Sequence, residues 1–390
     1  MKTEAGHRRF ACLDGLRGAA ALLVLAHHVS FVTGESFRSP LGRVLERTDA
    51  GVQVFFVLSA YLLYRPFVER RLAGHPDPPV AGFWLRRGAR IFPGYWVALA
   101  GCVAFFGLKF FARTDVVVFG TLTQVYDISR FNQGISQSWS LATELGFYAL
   151  LPLLAWLGAK AWRGRAPRTA LATELCALTA LALVAYGARQ WAYSTEAPVR
   201  RLIGYWTVGN LDAFAIGMAL ALVVCYVESA ERGPLLHRWA RVWPWWLAAG
   251  AVLWWASAWS GLPLGFAEFS AHHDFVRQVS YVTFASLLVV PLALWPDGPG
   301  LARAALRSRL VGFVGLVSYG LYLWHQAVLS RIVDADRIFR APFWTTLAAG
   351  IVATSVIATL SYLLVEKPLL DWARVATRGS PRASAGRRSS

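Results

Sequence analysis

Between residues 11 and 365 the chain passes through about ten apolar stretches separated by short polar connections. They fall at 11–32, 50–68, 92–111, 138–158, 170–188, 205–227, 243–260, 275–296, 311–331 and 343–365. A helical crossing of a bilayer needs about 17–25 mainly apolar residues, and a lipid-exposed backbone must satisfy its own hydrogen bonds. Mean hydropathy is +0.44 and 56% of the residues are hydrophobic, more than a soluble domain of this length tolerates. The sequence therefore predicts an all-α polytopic membrane protein with about ten transmembrane helices and no soluble domain. The 18 tryptophans suit bilayer interfaces. The expected organisation is a cytoplasmic N-terminal segment at 1–10, a membrane domain at 11–372 and a disordered basic tail at 373–390.

The net charge of +17 does not point to nucleic acid, because Lys and Arg lie between apolar stretches, where they set topology. One set of connections holds Arg70, Arg71, Arg86, Arg87 and Arg90, then Lys160 to Arg168, Arg232 to Arg241 and Arg303 to Arg309. The alternate set is poorer in bases and mixes them with acids, as in Glu35, Arg38, Arg43 and Glu46. This bias predicts a multi-pass plasma-membrane protein with both termini cytoplasmic. Cys12, Cys102, Cys176 and Cys225 fall singly in apolar stretches, as buried free thiols would, and no metal-ligand spacing is present.

The first stretch carries Asp14, Arg17, His27 and His28 inside an otherwise apolar run. Such residues in a membrane span face a polar interior or a partner. At about 100° per residue, the eleven steps from Arg17 to His28 close to within about 20°, whereas His27 lies about 80° away. Arg17 and His28 thus share one stripe, about 16 Å apart along the axis, and Asp14 lies near it. With the charge-derived orientation, His28, Glu144 and His325 form an outer titratable group. Arg17, Arg87, Arg90 and Glu366 form an inner one, with Arg87 and Arg90 on the approach to the third span.

Plainer readings exist for each residue. His28 suits a hydrogen-bonded structural histidine, Arg87 and Arg90 suit topology, and Glu144 suits a watered interface. Glu366 before Lys367 and Pro368 suits a helix end, and His325 beside Trp324 suits interface packing. His272, His273 and Asp274 read as a solvated turn, and Ser59 as a weak nucleophile candidate. Arg87 and Arg90, three residues apart, can present two guanidinium forks to a phosphate. Glu144 lies four residues from Ser140 and shares its helix face.

Six segments occur in an order that resembles the membrane-bound acyltransferase 3 family: LDGLRGAAALLVLAHH (13–28), GVQVFFVLSAYLL (51–63), FWLRRGARIFPGYW (83–96), WSLATELGFYALLPLL (139–154), SYGLYLWHQAV (318–328) and LSYLLVEKPL (360–369). The family's Arg-x10-His motif falls on Arg17 and His28, its Arg-x-x-Arg motif on Arg87 and Arg90, and two of its glutamates on Glu144 and Glu366. The chain departs from the pattern at Gln53, Ala60, Leu145, Gly146 and Ala327.

The resemblance implies an integral membrane O-acyltransferase with no permanently bound cofactor and no metal. It would move an acyl group, usually acetyl, from cytoplasmic acyl-CoA to a hydroxyl of a surface glycan or a glycosylated natural product such as a macrolide. On that reading Arg87, Arg90 and Glu366 bind the donor. His28 is the general base, with Arg17 and Glu144 beside it as catalytic residues. Asp14, Trp139, Ser140 and His325 line the path or the acceptor site. Either Glu144 or His325 could orient His28, and a covalent acyl-histidine is compatible with the same residues. The rival from another class is a non-enzymatic carrier that uses the same polar stripe as a substrate path.

Overall fold

A computed structural model describes residues 10–110, 112–131, 133–195, 200 and 202–377. Most of the expected N-terminal segment (1–9) and of the expected tail (378–390) lies outside the described residues. The described residues form helices and connections without strands. Ten helices have 17 residues or more: α1 Ala11–Thr33, α2 Gly51–Leu72, α3 Val80–Phe105, α4 Trp139–Trp162, α5 Pro167–Tyr193, α6 Leu211–Ser229, α7 Val242–Ala258, α8 Ala271–Leu294, α9 Arg309–Ile332 and α10 Phe343–Ser361.

These correspond one for one to the expected spans, and eight of them are long and apolar enough to cross a membrane. The two that fall outside that set differ for separate reasons. Helix α7 is only 17 residues long. Helix α9 interrupts its apolar run with Ser318, Tyr319, Tyr322, His325 and Gln326.

Helix α1 lies inside the bundle against α2, α8, α9 and α10, whereas α5 and α10 turn most of their apolar surface outward. The inward position of α1 is what its charged stripe demands, because lipid offers no hydrogen-bond partners. Close contact between α1 and α9 needs small residues at the crossing. A Cβ on Gly315 would stand 2.1 Å from the Asp14 carbonyl oxygen, and one on Gly18 would stand 2.7 Å from the Gly315 backbone nitrogen. Small-residue crossings of this kind let membrane helices approach backbone to backbone.

Several expectations are corrected. The third helix starts at Val80 rather than 92, so Arg87 and Arg90 lie within a helix, half-buried, and not on an approach to one. Glu366 does not close a helix at a proline stop. A wide π turn, Tyr362–Glu366, leads into a further helix, Lys367–Thr377, that carries Pro368. Pro368 has no N–H to donate, and π turns of this kind recur at functional sites. The helix also crosses the expected boundary at 372, which leaves only 378–390 as undescribed tail. Cys12, Cys102 and Cys225 are buried free thiols as expected, whereas Cys176 is exposed on α5.

Replacing Gly315 by Ala should force α1 and α9 apart at a cost of about 1–3 kcal/mol. The check is the thermal unfolding midpoint of the purified protein in detergent. Gly250→Ala on α7, where an added Cβ meets nothing within 4 Å, is the matched control and should leave the midpoint unchanged or raise it.

Candidate active site

Two adjoining cavities, of about 480 and 700 Å³, lie at the end of the bundle that carries His28, and His28 lines both. Helix α1 supplies His27 and His28, the Thr48–Ala50 turn and α2 supply Asp49 and Gln53, α4 supplies Trp139, and α9 supplies Tyr322 and Gln326. The connection before α4 is held onto α9: Ser136 Oγ donates to Gln326 Oε1 at 2.5 Å and Gln137 Nε2 to the Leu323 carbonyl at 2.7 Å. Farther out, Asp127 accepts from the Ser129 hydroxyl and N–H and from Arg130, and these donors hold its carboxyl below the usual carboxylate range.

The hydrogen-bond pattern assigns the protons of the two facing histidines. His325 is buried, and its Nδ1 lies 2.7 Å from the Tyr322 carbonyl and 3.3 Å from that of Leu321. Carbonyls only accept, so His325 carries its proton on Nδ1 and presents Nε2 as an acceptor. That Nε2 stands 3.3 Å from His28 Nδ1, which also lies 2.9 Å from the Val24 carbonyl. Two acceptors around His28 Nδ1 place its proton there, and the lone pair is left on Nε2. The basic nitrogen of a cavity-lining imidazole is thus set by its neighbour, as the second hydrogen bond of a histidine generally sets its tautomer. His27 is engaged elsewhere, with Nδ1 2.9 Å from the Glu46 carbonyl.

Glu144 is not part of this group. Ser59 Oγ donates to its Oε1 at 2.5 Å and the Tyr148 hydroxyl to its Oε2 at 3.1 Å. It lies within electrostatic reach of Arg17 and Arg87, and Arg17 within reach of Asp14 and Arg90. The carboxylate expected beside His28 therefore belongs to the arginine group, and His325 is the residue that faces His28.

The two guanidinium groups lean on tyrosines. Arg87 lies 6.0 Å from the Tyr148 ring centre and Arg90 5.5 Å from that of Tyr319. Glu366 reaches Arg90 from the π turn, Oε2 to Nη1 at 3.9 Å. Gly94 makes room for it, since a Cβ there would stand 2.8 Å from Tyr319 and 3.2 Å from Glu366. The Ser140 hydroxyl, one turn before Glu144 on α4, donates to that of Tyr322 at 2.8 Å. Trp139 packs edge-on against Tyr205 with ring centres 5.0 Å apart.

Sequence reasoning missed the cavity's second wall. Asp274 is not in a solvated turn. It is buried in the first turn of α8, where Arg189 Nη1 meets both its oxygens at 2.9 and 3.0 Å and Arg277 Nη2 lies at 3.2 Å. Arg189 also donates to Gln278 Oε1 at 2.8 Å, and Gln278 Nε2 donates to both oxygens of Asp212 at 3.0 Å. The signal available in the sequence was a pair of charges, Arg189 and Asp274, each one residue outside an apolar window.

A family model described as an acyltransferase domain matches residues 10–365. The chain is 25% identical over 384 residues to YrhL of Bacillus subtilis, covering 93% of this chain and 55% of that one. It is 24% identical over 384 residues to the peptidoglycan O-acetyltransferase OatA of Listeria monocytogenes, covering 94% and 57%. It is 27% identical over 410 residues to the acyltransferase MdmB of Streptomyces mycarofaciens, covering 97% and 95%. The chain thus spans little more than half the length of YrhL and OatA and nearly all of MdmB. No solved structure is a significant match.

Removing the carboxylate of Asp274 leaves Arg189 buried without its main partner. Asp274→Ala should cost about 3–5 kcal/mol of stability. A fall in the thermal midpoint of the purified variant, well beyond that of an Ala substitution at exposed Asp371, is the readout.

Proposed function

We propose, from the premise that this chain belongs to the acyltransferase 3 family, that it transfers an acyl group from acyl-CoA to a sugar hydroxyl, with His28 as the general base. The observation that carries this reading is the fixed tautomer of His28, whose lone pair is left on Nε2 in the wall of a cavity. The acceptor hydroxyl sits in that cavity and gives its proton to His28 Nε2. Its oxygen attacks the thioester carbonyl, the C–O bond forms and the C–S bond breaks. The imidazolium then returns the proton to the departing thiolate. A neutral imidazole with its lone pair free is the form that can take the acceptor's proton.

The donor enters from the arginine end. Arg87 and Arg90 hold its phosphates through charge-assisted hydrogen bonds, and Glu366 fixes Arg90. The arm that bears the thioester passes Arg17 and Asp14 along α1 towards His28, about 16 Å away by helix rise. Glu144, Ser59 and Tyr148 position Arg17 and Arg87, and His325 positions His28. The arginine end faces the cytoplasm together with both termini, as the charge bias requires. Aromatic walls from Trp139 and Tyr205 suit the acceptor's sugar ring. A surface glycan and a glycosylated small molecule are the two acceptor types this reading covers, the first in line with the name of the peptidoglycan O-acetyltransferase OatA.

Purified protein given acetyl-CoA and a glycosidic acceptor should release free CoA and yield an acetyl ester detectable by mass spectrometry. His28→Gln should lower turnover at least about 10²-fold at unchanged protein level; near-normal turnover would refute the assignment. His325→Ala should lower kcat more than it raises the acceptor KM, because it frees the tautomer and not the binding site. Arg87→Gln and Arg90→Gln should mainly raise the KM for acetyl-CoA. Uptake of acceptor into vesicles without consumption of a donor would favour a carrier instead.

A further inference from the structure

The cavity wall next to His28 contains two oxygen acceptors that lack a donor, one helical turn apart. Asp49 Oδ1 and Gln53 Oε1 are both buried and without a hydrogen-bond partner, and both residues line the cavity with His28. The orientation of Gln53 is not free. Asn210 Nδ2 donates to the carbonyls of Gly204 and Trp206 at 2.8 and 3.1 Å, which turns Asn210 Oδ1 towards Gln53. Gln53 Nε2 must then face Asn210 Oδ1, 3.1 Å away, and Oε1 is left as the unpaired acceptor. Asp49 lies within the electrostatic reach of Tyr281 and Arg277. Buried acceptors without donors are rare, and two of them side by side in a cavity wall suit a ligand that donates to both.

The chemistry of that ligand follows from charge and shape. Asp49 stands among Arg47, Arg277 and Tyr281, and the Arg277 guanidinium already offsets its charge, so an ammonium is not what the pair lacks. The wall also holds aromatic rings from Trp139, Tyr205, Tyr281 and Phe269. Neutral O–H donors on a ring with an apolar face satisfy both features. The Thr48–Ala50 turn that carries Asp49 runs directly into α2, which carries Gln53 four residues on; side chains spaced like this stand about 5–6 Å apart at Cβ, a span that two neighbouring hydroxyls of one sugar ring bridge.

Building on the acyl-transfer reading, we propose that Asp49 and Gln53 determine acceptor specificity by accepting hydrogen bonds from two adjacent free hydroxyls of a neutral hexopyranose. The ring is thereby oriented so that a further hydroxyl meets His28 Nε2. A site built around hydroxyl donors discriminates strongly against analogues that lack them, because its own acceptors are then left unpaired.

The test is binding, read separately from catalysis. Methyl glycosides of glucose, galactose and mannose, with their monodeoxy analogues, are titrated by ligand-detected NMR against the purified chain in a detergent without a sugar headgroup. At least one parent glycoside should bind saturably, and loss of either of two adjacent hydroxyls should weaken it about tenfold. Asp49→Asn, close to isosteric, should weaken the parent by about the same factor, with little added effect on one of those deoxy analogues. Gln53→Met should behave likewise towards the other. Absence of saturable binding by every parent glycoside, equal affinity for all deoxy analogues, or unchanged affinity in both variants would overturn the proposal. If binding follows the expected pattern while His28→Gln still transfers acyl groups, the acyl-transfer mechanism fails and this specificity pair stands.

Discussion

A helix that carries Asp14, Arg17, His27 and His28 through an apolar layer cannot turn any of them to lipid. That constraint arranges the rest of the bundle. Helix α1 lies inside, with α2, α8, α9 and α10 around it. The crossing with α9 is drawn tight at Gly18 and Gly315. The same crossing aligns His325 of α9 with His28 of α1, and Tyr319 of α9 with Arg90 of α3. Burial of one polar stripe thus gathers two groups of side chains around a single pair of helices.

The two groups differ in how their polar atoms are held, and the difference suits different tasks. At the histidine end, backbone carbonyls fix the protons: those of Tyr322 and Leu321 orient His325, and that of Val24 with His325 orients His28. Such rigid contacts suit a group that must present one lone pair. At the arginine end the guanidinium groups rest on tyrosine faces, and Arg90 meets Glu366 only at 3.9 Å. Donors held this loosely keep capacity for an incoming anion. The structural ion pairs, by contrast, are close, as in Arg71 with Glu174 at 2.8 Å and Arg189 with Asp274 at 2.9 Å.

Much of this was legible in the sequence because hydropathy and helical spacing are both one-dimensional signals. The ten helices fall where the apolar stretches fall, and the eleven-residue spacing separates His28 from His27 before any coordinates are known. What the sequence hid lay at the edges of its apolar windows. The fifth window ends at 188, one residue before Arg189, and the eighth begins at 275, one residue after Asp274. The third begins at 92, although the helix starts at Val80 and carries Arg87 and Arg90. A hydropathy window stops at a charge; a helix does not, provided the charge turns inward and finds a partner. The partner of Glu144 was hidden for another reason. Depth along the chain placed it near His28, and only helix packing shows that Ser59 and Tyr148 claim its oxygens.

The most direct measurement is an experimental structure of the protein with a glycoside acceptor and a non-transferable acyl-CoA analogue bound together. The account predicts one acceptor hydroxyl within about 2.6–3.2 Å of His28 Nε2, His28 Nδ1 still facing Val24 and His325, and the analogue's phosphates on Arg87 and Arg90. An acceptor bound away from His28, or a donor whose thioester reaches a different side chain, would contradict it.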